Sequence, residues 1–328
     1  MTPYNLFYSE PNNDRWLPYD RYPRALVRRL VRGRPRPGGQ MRVFLNLCEG
    51  LRRLGVPFRV NDYRFARAHP DALVCIIGKP FVLDRVKWRN PILFGAAIYS
   101  HPLDDPNLLK RLPVKKVLVP GPWMKEMCRP YWGDAVEVWP VGIDTDAWHP
   151  TPTTEKDTDV LLYDKVRWDH DRYTQSLIDP IRLFLRQRGI SFREIRYGYY
   201  HGEEFKDALR KCRAMIFLCE HETQGIAYQE ALSSGVPIFA WDRGGPWQDP
   251  SYYPDRVAFG PVTSVPYWDE RCGMRFKDWL EFEVMWDEFW RATEEKKFRP
   301  RDYILEHLTL ERAADHYLQI AKSLQPCP

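Results

Sequence analysis

HETQGIAYQEALSSGVPIFAWDRGG, residues 221–245, is the stretch on which the reading of the whole chain turns. It carries two glutamates, Glu222 and Glu230, with Gly225 between them. An apolar run, AMIFLC (214–219), precedes it, and VPIFA (236–240) lies within it. Short apolar runs on either side of a glycine turn and a helix-length segment read as strand, turn, helix, strand. The first acid falls on the turn and the second about one turn into the helix. In an open α/β sheet this brings both carboxylates to the crevice at the carboxyl end of the strand, where such sheets bind ligands. The helix start beside Gly225 offers backbone N–H groups to an anion. Acids that accept from hydroxyls, beside N–H groups that hold phosphate, point to a sugar-nucleotide site.

The pattern continues outward in both directions. YNLFY (4–8) reads as a first strand, and Gly38-Gly39 opens a helical pattern through Val43, Leu47, Leu51 and Leu54, ended by Gly55. VPFRV (56–60), LVCII (73–77), ILFGAAI (92–98), VLVP (117–120) and VEVWP (136–140) follow as short strand-like runs. The loop GIDTDAWHPTPTTEKDTD (142–159), rich in Pro, Thr and Asp, reads as an interdomain linker. The alternation then restarts with DVLLY (159–163), a helix near 174–188, ISFREIRY (190–197) and a helix near 203–212. From about residue 276 the pattern is helical, with a last helix near 310–324. Strands alternating with helices indicate Rossmann-like parallel sheets. The expected division is 1–145 as an N-terminal acceptor-side domain and 146–310 as a C-terminal donor-binding domain. A C-terminal helix, 311–328, is expected to pack back on the first domain.

Bulk properties are compatible with this. At 328 residues the chain exceeds what one core usually supports. Apolar residues make up 44% and mean hydropathy is −0.53, which describes an ordinary globular protein. No run of about 18 apolar residues suggests a membrane span, and the first residues lack the pattern of a secretory leader. The seven cysteines are scattered with no Cys-x-x-Cys pair, so they read as reduced thiols in a cytoplasmic protein.

The net charge of +5 is unevenly spread. Residues 1–60 hold twelve arginines, no lysine and four acids, giving +8, so the rest sums to −3. Within them YPRALVRRLVRGRPRPGG (22–39) places Leu26, Val27, Leu30 and Val31 on one helical face with arginines around the rest. Such a helix either packs on its own domain with a solvated basic face or lies on an anionic surface. The second reading makes residues 22–36 a peripheral contact with the inner face of a membrane, or a site for a phosphorylated acceptor. No nucleic-acid recognition module is present, so nucleic acid is not expected as a partner.

The spacing of Glu222, Gly225, Glu230, Ala231, Gly235 and Pro237 resembles the donor-binding signature of retaining GT-B glycosyltransferases, particularly glycosyltransferase family 4. That signature is Glu-x7-Glu followed by Ala-x-x-x-Gly-x-Pro. Gly244-Gly245 is similar to the family's glycine pair after the next strand, and VWPVGIDTDAW (138–148) to its hinge, with Val141 where the family has Asn and Trp148 where it has Phe. GGQMRVFLNLCEGLRRLG (38–55) looks like the glycine turn and first helix of its N-terminal domain. The resemblance is clear from 38 to 245 and loose at both ends. It implies a GT-B architecture, two Rossmann-like domains facing a central cleft.

The resemblance also implies roles. Glu222 would contact the donor sugar and Glu230 the ribose, and backbone N–H groups of Gly225, Ile226 and Ala227 would hold the diphosphate, with Gly39 also on the donor side. Lys165 and Arg167, in DKVRWDHDR (164–172), are the candidate phosphate cations, with Arg172 in reserve. Their spacing departs from the family's Gly-Arg-x-x-x-x-Lys. His101, in AAIYSHPLD (96–104), resembles the histidine that faces the donor sugar. Two Asp-x-Asp strings, 144–146 and 169–171, read as solvated loops, so no metal is expected. The implied activity is metal-independent transfer of a hexosyl-type sugar from a nucleotide diphosphate sugar to a glycan, glycolipid or small-molecule hydroxyl, with retention. The competing reading is a GT-B-like nucleotide-binding or scaffold protein without catalysis. The aromatic stripe Trp279, Phe282, Trp286, Phe289 and Trp290 is expected to pack on a sheet.

Overall fold

A computed structural model of the chain describes residues 3–10, 23, 38–96, 99–151 and 155–325. Two parallel sheets organise it. The first has the order β2-β1-β3-β4-β5-β6, formed by β1 (Tyr4–Phe7), β2 (Phe58–Val60), β3 (Val74–Ile76), β4 (Ile92–Gly95), β5 (Val114–Val119) and β6 (Val136–Val138). The second has the order β11-β10-β9-β7-β8, formed by β7 (Thr158–Asp164), β8 (Phe192–Arg196), β9 (Cys212–Leu218), β10 (Ile238–Trp241) and β11 (Gly273–Phe276). Every pairing in both sheets is parallel. Each sheet is flanked by helices, an α/β architecture. Central strands covered on both faces need continuous apolar sequence. Val160–Tyr163 and Ala214–Leu218 supply it, all without solvent exposure.

The chain divides into two compact units, Met1–Val119 with Cys128–Trp139 and Ala313–Pro328, and Pro120–Met127 with Pro140–Arg312. The segment 142–159 therefore falls with the second unit. In the first unit, the Leu310–Ser323 helix contributes the Ala313 carbonyl, which accepts from Trp139 Nε1 at 2.8 Å, and Tyr317, whose ring meets Trp139 edge-on. The basic segment 22–36 lies outside the described residues apart from Pro23. Among the described residues no helix is long and apolar enough to cross a membrane. The six described cysteines are all buried free thiols.

The strand order of the second sheet opens a crevice at the carboxyl ends of its strands. From β7 the chain moves outward to β8, returns to β9 on the other side of β7, and continues to β10 and β11. The crevice between the carboxyl ends of β7 and β9 is thus the topological switch point. Behind the sheet, the Trp279–Glu294 helix starts at Asp278, whose side chain accepts from Glu281 N at 3.0 Å, a typical N-cap. Phe282, Trp286 and Phe289 are buried against Phe239 and Phe276, so the aromatic stripe is a packing face. The sequence carries no signal for β11, because a four-residue edge strand with glycine and arginine has little apolar pattern.

The burial of that helix makes a direct prediction. Trp286→Ala should destabilise the protein by about 3–5 kcal/mol in urea unfolding, whereas Val284→Ala, at an 81% exposed position, should stay within about 0.5 kcal/mol.

Candidate functional site

The β7–β9 register pairs Asp164 with Leu218, and Lys165 N donates to Leu218 O at 2.7 Å. Residues just beyond the two strands are therefore side by side. Lys165 Nζ pairs with Glu222 Oε1, and both side chains are nearly buried. Burial is the strongest single influence on Lys165 and would lower its pKa, but the Glu222 carboxylate, by charge and hydrogen bond, together with neighbouring groups more than offsets it and holds the ammonium above its ordinary value. The Tyr197 ring lies 4.5 Å from the same ammonium, a cation–π distance.

Glu220 ties the two strand ends together from the other side. One of its carboxylate oxygens accepts from Arg167 N at 2.8 Å and Trp168 N at 2.7 Å. The Arg167 guanidinium then donates to His221 O at 3.1 Å and sits 4.6 Å from the Trp168 ring. Lys165 and Arg167 are thereby brought to Glu222. Arg172 is not: it is exposed and lies 3.5 Å from Asp169.

Downstream, Gly225 caps the Ile226–Ser233 helix with φ 79° and no side-chain cap. A left-handed φ favours glycine, and a Cβ here would come within 2.0 Å of the Tyr228 ring. The first N–H groups of this helix, those of Ile226 and Ala227 among them, have no intrahelical acceptor. Glu230 is the fifth residue of the helix and is buried. Gly244 and Gly245, after β10, both have left-handed backbones, with φ 64° and 81°.

Four side chains around the switch point keep buried polar atoms without a protein partner among the described residues: Glu220 Oε2, both ring nitrogens of His221, Arg243 Nε and Ser264 Oγ. His221 is 3% exposed and is surrounded by the rings of Trp123, Trp168 and Trp247. Burial, then the cations of Arg167, Arg243 and Lys165, push its pKa down to about 3. Burial above all keeps the ring neutral under ordinary conditions, and the three nearby cations favour an anionic ligand. These residues escape sequence reading. Glu220 and His221 adjoin Glu222 but look like an ordinary polar loop, and Trp123, which donates from Nε1 to Glu222 O at 2.8 Å, is far upstream.

The remaining candidates lie apart from this cluster in the chain. In the first unit His101 is buried, its Nδ1 accepts from Leu103 N at 3.1 Å, and its ring meets Tyr131 edge-on at 5.2 Å. With Nδ1 an acceptor, the neutral ring carries its proton on Nε2. Gly39 begins the Gly39–Arg53 helix, and the next residue, Gln40, donates from Nε2 to Ile77 O and Ala96 O at 3.0 and 2.9 Å, joining the helix start to the ends of β3 and β4. Asp144 uses its Oδ1 within its own turn, accepting from Asp146 N and Ala147 N. Asp169 precedes the short His170–Tyr173 helix, with Asp171 in its first turn. No group of three or more His, Cys, Asp or Glu side chains among the described residues is arranged to hold a metal.

AviGT4, a glycosyltransferase involved in avilamycin A biosynthesis, is similar with a TM-score of 0.54 and 14% identity over 99% of each chain. The fold is that of the GT-B glycosyltransferases. A variant of S. aureus TarM, crystallised with fondaparinux, α-GlcNAc-glycerol and UDP, matches at a TM-score of 0.53 and 13% identity, over 77% of this chain and 55% of its own. This chain thus spans about half of TarM. No protein-family model matches the sequence, and no curated protein does. The GT-B likeness accounts for the two parallel α/β units.

His221 makes the second prediction. Its folded pKa of about 3 lies below an ordinary value near 6.5, so the unfolded chain binds the extra proton first. Its contribution to stability is complete above about pH 6.5 and is lost as pH falls towards 3. Between pH 7 and pH 4.5 the wild type should lose about 2–3 kcal/mol more unfolding free energy than His221→Phe, measured by urea titration at both pH values.

Proposed function

We propose that this protein is a retaining glycosyltransferase that uses a nucleotide diphosphate sugar, without a required metal, to glycosylate a hydroxyl acceptor. The observation that carries the reading is the Lys165–Glu222 pair at the β7–β9 switch point, three residues before the helix start at Gly225. A cation, a carboxylate and a set of helix N–H groups converge there on a GT-B framework. The sequence resemblance assigns Glu222 to the sugar, Glu230 to the ribose, and Gly225, Ile226 and Ala227 to the diphosphate.

The pair suggests how donor binding proceeds. The diphosphate takes the Lys165 ammonium, and sugar hydroxyls take the place of that ammonium on Glu222, since a carboxylate is a strong acceptor. Departure of the nucleoside diphosphate builds negative charge on its phosphates. Lys165, Arg167 and the helix start at Gly225 would stabilise that charge in the transition state. These groups supply the electrostatic role without a metal. Retention rests on the sequence resemblance. So does the role of His101, which would contact the sugar or position the acceptor. The acceptor class, the hexosyl identity of the sugar, cytoplasmic residence and membrane contact through residues 22–36 remain part of this proposal, carried by sequence alone.

Thermal-shift titration with UDP, GDP and ADP tests the binding half: one nucleotide at about 100 times its dissociation constant should add about 2.7 kcal/mol of stability. With the matching sugar nucleotide, Glu222→Ala should mainly lower kcat and Glu230→Ala should mainly weaken nucleotide binding, while a chelator should leave the rate unchanged. Full activity in both variants would refute the site assignment. Stabilisation by no nucleoside diphosphate would instead favour a non-catalytic scaffold.

A further inference from the structure

We propose that Gln224 is a positioning residue, whose side-chain amide clasps the loop bearing Glu222 and Gly225 to the segment beginning at Pro140, and that turnover depends on this clasp. The inference rests on the glycosyl-transfer reading of the site.

Gln224 is buried, and its amide is fully used. Its Oε1 accepts from Val141 N at 2.9 Å, and its Nε2 donates to Val141 O at 3.2 Å and to Gln229 Oε1 at 2.8 Å. A primary amide has two N–H donors and one carbonyl acceptor, so every function of the group is engaged. One side chain satisfies both backbone groups of a single fully buried residue, as a neighbouring strand would. Gln229 closes the network by donating to Gln224 O at 2.8 Å and to Tyr228 Oη at 3.3 Å. Tyr228 Oη in turn donates to Tyr267 O at 3.2 Å and accepts from Tyr267 N at 3.1 Å.

The same loop is held at its two preceding residues. Trp123 Nε1 donates to Glu222 O, and Gly121 packs so tightly on Thr223 that a Cβ would lie 2.4 Å from its carbonyl oxygen. Three chain segments, 121–123, 141 and Thr263, whose carbonyl accepts from Glu222 N at 3.0 Å, therefore hold the backbone path of 222–224. Among the described residues Gln224 is the side chain of that loop segment that holds Val141. It stands two residues after Glu222 and one before Gly225, and its amide is consumed by Val141 and Gln229. Its influence on a bound donor must pass through the backbone. Loss of the amide leaves Val141 N and O unpaired in the interior, and the loop has to shift to rehydrate them.

The test uses the full chain, with kinetics on the sugar nucleotide found by screening and with backbone amide hydrogen exchange on the protein alone. Gln224→Met keeps the length and removes the hydrogen bonds. Gln224→Glu keeps the shape but sets acceptors against Val141 O and Gln229 Oε1. Both should lower kcat by about 100-fold, the scale of a 1 Å misplacement, while the nucleoside diphosphate Kd changes by less than about threefold, a kcat-against-binding split. Exchange at residues 222–226 should rise about tenfold or more, since exchange follows local opening. The isosteric variant keeps the test decisive if the methionine variant does not fold. A folded variant with wild-type kcat and wild-type protection overturns the clasp, and nucleotide affinity falling in step with kcat overturns the positioning role. A wild type that turns over no sugar nucleotide overturns the glycosyl-transfer reading and, with it, the dependence of turnover on Gln224, while the exchange data still decide whether the clasp exists.

Discussion

The parallel pairing of β7 with β9 is the constraint on which the rest of the second unit depends. These strands are neighbours in the sheet but not in the chain, because β8 is added on the far side of β7 before β9 forms. Their shared register puts Lys165 beside the loop that follows Leu218 and so brings that ammonium to Glu222. Separating the members of such a buried pair leaves an uncompensated charge in the interior unless new partners replace the old ones. The register of the sheet and the electrostatics of the site are thus one structural fact.

Around that pair the protein solves a polar packing problem. Glu220 spends one carboxylate oxygen on two backbone N–H groups of the β7 loop, and Gln224 spends its whole amide on Val141 and Gln229. Both residues order backbone that carries other groups. By contrast His221, within its ring of tryptophans, keeps both nitrogens without a protein partner among the described residues. The site therefore combines a rigid frame with polar atoms left for something other than protein, consistent with a region built to receive a ligand.

Much of the fold is legible in the sequence. The apolar runs that form the cores of β3, β4, β7, β9 and β10 are continuous because central parallel strands must be apolar on both faces. Gly225 announced a turn because the backbone there needs a left-handed φ that other residues resist. The aromatic stripe from Trp279 declared itself by helical spacing. The edge strand β11 was invisible, since a short strand with one exposed side does not need an apolar pattern. The helix division after Thr174, where a π-helical turn over Thr174–Ile178 precedes Asp179–Gln187, was equally hidden, because one apolar face runs through both.

The sequence by itself determined the class of fold and the local turn-and-helix geometry of residues 222–230, because periodicity and glycine placement are short-range properties. Glu222, Gly225 and Glu230 are linked by one turn and one helix, so their spacing already carried their geometry. Only the tertiary structure decided that Lys165 neutralises Glu222, that Arg167 rests on His221, and that Gln224 and Trp123 hold the loop from two distant segments. Those contacts join residues whose separation along the chain carries no periodic signal, and they exist only because sheet register and close packing bring the segments together.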